Sequence, residues 1–305
     1  MPAPDPGAPE INGLPNYFSV AWWISLFSWL GGYPGGSFAG RRRTINGDMR
    51  IDQANAGALV SVNAAAAFRL VDKWIGRAMP AAGVFSAQQA SATPPAGFVN
   101  YLHLVVTTAD AAPAAAATYF LTHRIEGTYC QDFQMGIAGN NQSVAVSFLA
   151  RSSLTGAFSG SLENAAANRS FPFSFTIPTA NIWTLITLII PSDQAGVWLT
   201  TTGLGIALTF DLGQGANFRG AAGAWAAADL GGVTGAVSLM ATLNATLDIT
   251  GVQIEPGTLC TPFEQKPQGD ELRLCQREFF KTFSQAVAPA QGIGQGGVLS
   301  YICEI

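Results

Sequence analysis

Only two histidines, His103 and His123, occur in 305 residues, and both lie within runs that alternate like β-strands. A Ser-His-Asp catalytic arrangement therefore has two possible bases at most. No Gly-x-Ser-x-Gly elbow accompanies either of them, and no phosphate-cradling P-loop is present. The cysteines Cys130, Cys260, Cys275 and Cys303 show neither a Cys-x-x-Cys pair nor a zinc spacing, so they read as buried free thiols. Asp193, Asp211 and Asp229 are scattered among turns. Glycoside hydrolysis needs two carboxyl groups held across a cleft, and the spacing of these three pairs none of them. The expectation is a protein without enzymatic activity. The run Arg41-Arg42-Arg43 is short, and with Lys+Arg 15 against Asp+Glu 19 the net charge is −4, so no basic field exists to hold a phosphate backbone. These arginines read as a solvated edge or as ion-pair partners for another subunit.

The elements that must position any site follow from composition and periodicity. Hydrophobic residues make up 49% of the chain and charged ones 11%, with 34 Gly and 17 Pro, which points to an all-β protein with many turns whose surface is partly covered by its own copies. Phe171, Phe173, Phe175 and Ile177 alternate with Pro172, Ser174 and Thr176; Leu204, Ile206, Leu208 and Phe210 alternate with Gly205, Ala207, Thr209 and Asp211. Similar runs at 101–107, 119–126, 143–151, 157–163, 183–190 and 246–255 make at least eight short strands. The expected fold is a jelly-roll β-sandwich of two antiparallel sheets, with an extended N-terminal arm and a short C-terminal helix. Asn46-Gly47-Asp48 reads as a turn, Asn-Gly being a favoured hairpin dipeptide and Asp48 able to accept bonds from its own backbone.

The expected organisation is an arm over 1–43, the sandwich over 44–268, and the helix with the start of a C-terminal segment over 269–305. In the arm, Phe18, Trp22, Trp23, Phe27 and Trp29 form an aromatic segment too short to span a bilayer and without a basic leader, so burial against a partner or against copies of the chain is expected. A Gly-rich joint over 31–40 follows it. The run from Asp270 to Phe280 is the best helix in the chain; three copies with Leu272, Cys275 and Phe279 inward would bury an axial core, with Arg273, Arg277 and Glu278 left for salt bridges between chains. The end of the chain, 298–303, is strand-like.

Seven motifs in unbroken order carry a family resemblance over about residues 44–282. They are Ile45-Asn46-Gly47-Asp48-Met49-Arg50-Ile51-Asp52-Gln53, Asp72-Lys73-Trp74, Arg124-Ile125-Glu126-Gly127, Val146-Ser147-Phe148-Leu149-Ala150-Arg151-Ser152-Ser153, Ile249-Thr250-Gly251-Val252-Gln253-Ile254-Glu255-Pro256-Gly257, Thr261-Pro262-Phe263-Glu264, and Leu274-Cys275-Gln276-Arg277. This set resembles a family of bacteriophage virion proteins, mostly tail-fibre or tail-associated. The resemblance implies a jelly roll similar to carbohydrate-binding modules, carried by a homotrimeric fibre, spike or connecting piece on a virion. Its arm would dock on other tail or capsid proteins, its alternative role would be host-surface glycan recognition, and a glycan-degrading tailspike would be the least expected form. Residues 1–40 match nothing in that family, and its members usually continue past the helix. Such jelly rolls often hold a structural calcium, for which Asp48 and Asp248 are the possible donors here. Trp74, Trp183, Trp198 and Trp225 are possible sugar-stacking platforms; Trp183 reads as core, while Trp198 and Trp225, beside Gly-rich turns, are the better placed for exposure. Neither nucleic acid nor a membrane span is expected.

Overall fold

Each alternating run becomes a strand because one side of it enters a core while the other stays polar. The computed structural model describes residues 40–63, 67–80, 82–140 and 142–281. The aromatic residues Phe18, Trp22, Trp23, Phe27 and Trp29 and the strand-like run at 298–303 lie outside the described residues. The first of two six-stranded sheets has the spatial order β1 (Val60–Val62), β4 (Val84–Ala90), β5 (Tyr101–Thr108), β14 (Thr246–Pro256), β7 (Val144–Ser152) and β10 (Thr184–Ile190). The second has the order β2 (Phe68–Val71), β3 (Trp74–Met79), β6 (Thr118–Glu126), β11 (Leu204–Asp211), β8 (Gly156–Glu163) and β9 (Ser170–Ile177). All pairings within both sheets are antiparallel, as a jelly roll requires; two short strands, β12 (Arg219–Gly220) and β13 (Gly232–Val233), pair in parallel outside them.

The inner faces meet on an aromatic core. Phe148 stands edge-on to Phe175 and to Phe210, with ring centroids 5.0 Å apart in both cases. Phe171, Phe173, Phe175 and Ile177 are all buried while Ser174 and Thr176 face water, so the alternation sets the faces of β9 as expected. Each large apolar side chain buried in this way contributes roughly 1.5–3 kcal/mol.

Residues 41–53 and the C-terminal helix fasten together in a buried polar cluster, referred to below as the latch. Arg42 and Glu271 form an ion pair whose side chains are both 0% exposed. The second oxygen of Glu271 accepts the Asn46 backbone N–H, and Asn46 Nδ2 donates to the carbonyls of Ile51 and Asp72 at 2.8 and 2.9 Å. Trp74 Nε1 and His123 Nε2 donate to the Asn46 and Ile45 carbonyls at 3.0 and 2.8 Å. Gly47 lies so close to β14 that a Cβ there would sit 2.1 Å from the Val252 carbonyl oxygen, so only glycine fits. Asn46-Gly47-Asp48 is a turn as expected, closed by the Met49 N–H on the Asn46 carbonyl at 3.2 Å; it joins no pair of strands, and Asn46, with a left-handed φ of 55°, serves as the hub of the latch. One expectation is corrected: the three arginines are not a solvated edge, because Arg41 pairs with Glu255, Arg42 with Glu271 and Arg43 with Asp132.

The helix α1 (Gln268–Gln276) starts two residues before the expected Asp270, directly after Pro267, whose ring suits a helix start, and ends before Phe280. Cys275 is buried against Ile45 and Ile51 of its own chain, with Leu272 beside it. Phe279 is half-buried and lies under the Arg69 guanidinium, 5.3 Å from ring centroid to carbon.

Candidate functional site

Strands β3, β6, β11 and β8 send every second side chain to the outward face of the second sheet, and register sets those side chains in rows. Arg124 on β6 stands opposite Ala207 on β11, which stands opposite Glu163 on β8. The next row holds Thr122, Thr209 and Ser161. A third holds Arg77, Phe120 and Asp211. Small residues at the middle of the first two rows open a trough of about 320 Å³, walled by residues from 164–167 and 214–229 and within the range of small-ligand sites. This explains why β11 is buried on both faces although its sequence alternates: Ala207 and Thr209 point outward yet are only 7% and 4% exposed, because they form the floor.

Arg124 and Glu163 face each other across Ala207 over about 10 Å, twice the ~4.8 Å strand spacing. No ion pair joins them, and Arg124 is exposed. Burial pushes the Glu163 carboxyl up to about 7; the hydrogen bond from Ser161 opposes that rise, and the charge of Asp229 adds to it. Asp229, on the opposite wall, is raised by burial and held down in part by Arg77. Arg77 Nε and Gln214 Nε2 are buried with no hydrogen-bond partner among the described residues. Phe120 and Phe218 are half-buried in the same trough and present apolar ring surface. The arrangement can hold a polar ligand of several hydroxyl or acidic groups between ring surfaces.

The residues singled out by sequence are distributed differently. Asp193 is committed to Arg169, whose Nε donates to it at 2.8 Å, and Asp211 to Arg219 at 2.8 Å and Ser159 at 2.9 Å; of the three scattered acids only Asp229 lines the trough. Trp74 is fully buried in the core. Trp183, read as core, instead lies half-exposed outside the first sheet, 4.7 Å beneath the Arg151 guanidinium, with its N–H donated to the Thr93 carbonyl. Trp198 and Trp225 are half-buried and meet edge to face at 5.3 Å, their indole N–H groups donated to Asp193 and Pro191. They lie outside the trough lining, but Asn164 on its wall donates to the Val197 carbonyl and ties the two places together. Asp48 pairs with Arg50 in the latch, and Asp248 with Arg151 and His103 on the first sheet. With separate basic partners they do not assemble the several oxygens a calcium ion needs, and no group of three possible metal ligands gathers among the described residues.

The sequence reading missed Arg77, Phe120, Thr122, Arg124, Glu163, Gln214 and Phe218 as site residues. The available signal was the second face of β6, where Thr118, Phe120, Thr122 and Arg124 alternate with the core residues. What made that face a trough was the pairing of β6 with a strand carrying Ala207 and Thr209, and a single run does not show its neighbour.

No protein-family model and no curated protein matches the chain. Among solved structures it is similar to the enzymatically active domain of tailspike protein 4 of bacteriophage CBA120, with 10% identity, 70% of this chain and 21% of that chain covered, and a TM-score of 0.36. It is also similar to the CBM22-1 xylan-binding domain from Paenibacillus barcinonensis (12% identity, 68% of this chain, 99% of that chain, TM-score 0.32). A third is the family 11 carbohydrate-binding module from Clostridium thermocellum in complex with a beta-1,3-1,4-mixed-linked tetrasaccharide (11%, 64%, 94%, TM-score 0.32). The chain spans about a fifth of the tailspike chain. At these identities the likeness concerns the β-sandwich fold alone.

Proposed function

We propose that this chain is a saccharide-binding jelly-roll module of a bacteriophage virion, part of a fibre, spike or fibre-connecting protein. The binding half rests on one observation: the trough on the second sheet, floored by Ala207 and Thr209 and flanked by Arg124 and Glu163, is an open polar groove with ring surface in it. A glycan chain needs those features, many hydrogen-bonding groups and an apolar face for the pyranose ring. The virion half rests on the ordered motifs over residues 44–282. The reading is one of binding without catalysis: Asp193 and Asp211 are ion-paired to Arg169 and Arg219, which leaves Glu163 and Asp229 as the carboxyl groups lining the groove.

A glycan array probed with the intact chain tests it. Binding is expected, with loss of at least ~10-fold in affinity when Ala207→Trp fills the floor, while Trp198→Ala and Trp225→Ala report whether the tryptophan pair adds a platform. Absence of glycan binding, or binding indifferent to Ala207→Trp, sinks the reading; shortening of a bound polysaccharide on size exclusion sinks its non-catalytic half.

Self-association, which the homotrimer reading requires, is favoured by a separate observation. The edge strand β10 carries no charge, and Leu185 and Ile189 on it are 64% and 44% exposed, with Ile182 just before it at 56%. Uncovered apolar edges are rare in lone chains. Sedimentation of the intact chain is expected to give a trimer that persists in 1 M salt and dissociates in Leu185→Lys.

A further inference from the structure

Nearly every arginine in this protein is already occupied. Of the twelve, nine have a carboxylate within 4.0 Å: Arg41, Arg42, Arg43, Arg50, Arg151, Arg169, Arg219, Arg273 and Arg277. Arg69 lies on the Phe279 ring. The two that remain, Arg77 and Arg124, both line the trough. A chain with more acids than bases has had carboxylates to spare for them; Arg124 is exposed at the trough, and Arg77 is half-buried there with its Nη2 against the Met79 sulfur at 3.5 Å.

Buried donors lie around them, beside the Glu163 and Asp229 carboxyls. Arg77 Nε and Gln214 Nε2 are buried with no hydrogen-bond partner among the described residues, and Gln214 is only 5% exposed, its backbone N–H held by Asp211 at 2.8 Å. An unpaired buried donor is costly, and an acceptor on a ligand seated in the trough would satisfy both. Neutral sugar hydroxyls donate as readily as they accept; a carboxylate only accepts, and a guanidinium matches it two bonds at a time. Resting on the saccharide reading above, we infer that the trough takes an acidic oligosaccharide, one built from uronate or other carboxylate-bearing sugars, with a carboxylate on Arg124. Arg77 lies opposite Phe120, four residues from Arg124 along β6, roughly 13 Å at ~3.4 Å per residue, so a ligand that reaches both cations spans more than one sugar.

The charges that face Glu163 in the trough are Arg124 across the floor, Arg77 on β3 and Asp229 on the opposite wall. Protonated, Glu163 is one more donor; ionised, it repels an acidic ligand. Affinity for an acidic ligand is therefore expected to fall as pH rises through about 7.

Isothermal titration at pH 6 with tri-galacturonate, hyaluronan and mannuronate oligosaccharides, set against neutral galactotriose, tests the inference. At least one acidic probe is expected to bind ~10-fold or more tightly than the neutral one, and Arg124→Gln, an exposed position whose change leaves the core intact, is expected to collapse that ratio. Galactotriose binding as tightly as every acid, or a ratio untouched by Arg124→Gln, overturns it. Neutral binding that Ala207→Trp abolishes overturns the acid preference and keeps the groove; no binding by either class overturns both.

Discussion

Consecutive residues of β6 belong to opposite worlds. His123 points inward to the latch, fully buried, with its Nε2–H on the Ile45 carbonyl; Arg124 points outward to the trough, exposed and without an ion pair among the described residues. The latch holds charge by enclosing it: Arg42 finds Glu271, Lys73 finds Glu278, Gln53 finds Asp72, and the Arg42 guanidinium also rests 4.8 Å over the Phe263 ring. The trough leaves Arg124 without an ion pair among the described residues. Several residues of the ordered motifs, among them Asn46, Asp72, Trp74, Glu264 and Cys275, fall in or beside the latch. Of the trough lining, only Arg124 falls in one of those motifs. The latch thus takes up much of the motif set, whereas the trough draws on it only through Arg124.

Removing one partner of an enclosed ion pair is the harshest way to break that contrast. Arg42→Met leaves the Glu271 carboxylate buried without its cation and is expected to cost about 3–5 kcal/mol in chemical denaturation. Arg42 Nε and Nη1 have no hydrogen-bond partner among the described residues, so the pair itself is imperfectly satisfied. The double variant Arg42→Met with Glu271→Leu should therefore recover most of the loss, and glycan affinity should follow neither change beyond the loss of folded protein. A double variant as unstable as the single one would mean that the latch depends on the Glu271 bond to Asn46 rather than on charge balance.

His123 on the latch side and Glu163 in the trough differ in the sign of their pH dependence. Burial, with the nearby charge of Lys73, pushes His123 down to about 3 from 6.5, so the folded state binds fewer protons than the unfolded chain and stability falls as pH drops below about 6.5. Glu163 is raised from 4.5 to about 7, so the folded state binds more protons, and stability falls as pH rises from about 4.5 to about 7. Glu163→Gln should remove a loss of about 1–3 kcal/mol across that second window and leave the acid-side loss in place. His123→Gln should flatten the acid side alone, whatever its effect on absolute stability. Denaturation midpoints from pH 4 to 8 separate the slopes; an unchanged slope in Glu163→Gln would return that carboxyl to the ordinary range.

All eight strands read from the sequence are present, each within about one residue of its expected bounds, because those runs alternate cleanly between an apolar and a polar face. The first four strands were not legible. In β4, Val84-Phe85-Ser86-Ala87-Gln88-Gln89-Ala90, small and polar residues occupy both faces, and β1 is three residues long. Thr44 to Gln53 forms bends and turns tied by side chains, which periodicity does not detect. The trough was half legible: the polar face of β6 could be read, but its depth comes from Ala207 standing between Arg124 and Glu163, a fact of register between strands some forty and eighty residues apart.

The mildest change tests whether enclosure, and not charge count, defines the latch. Arg277 reaches Glu126 at 2.8 Å from the end of the helix, and its side chain is 48% exposed. Water competes for both groups and salt screens them, so Arg277→Ala is expected to cost only about 0.2–1 kcal/mol, shrinking further in 0.5 M salt. Arg42→Met removes the same kind of charge from the same cluster, and its larger cost should be far less sensitive to salt because no ion can reach the pair. Equal costs for the two variants, or equal screening, would mean that the latch is wetted throughout, and the distinction between the inward and outward faces of β6 would lose its physical basis.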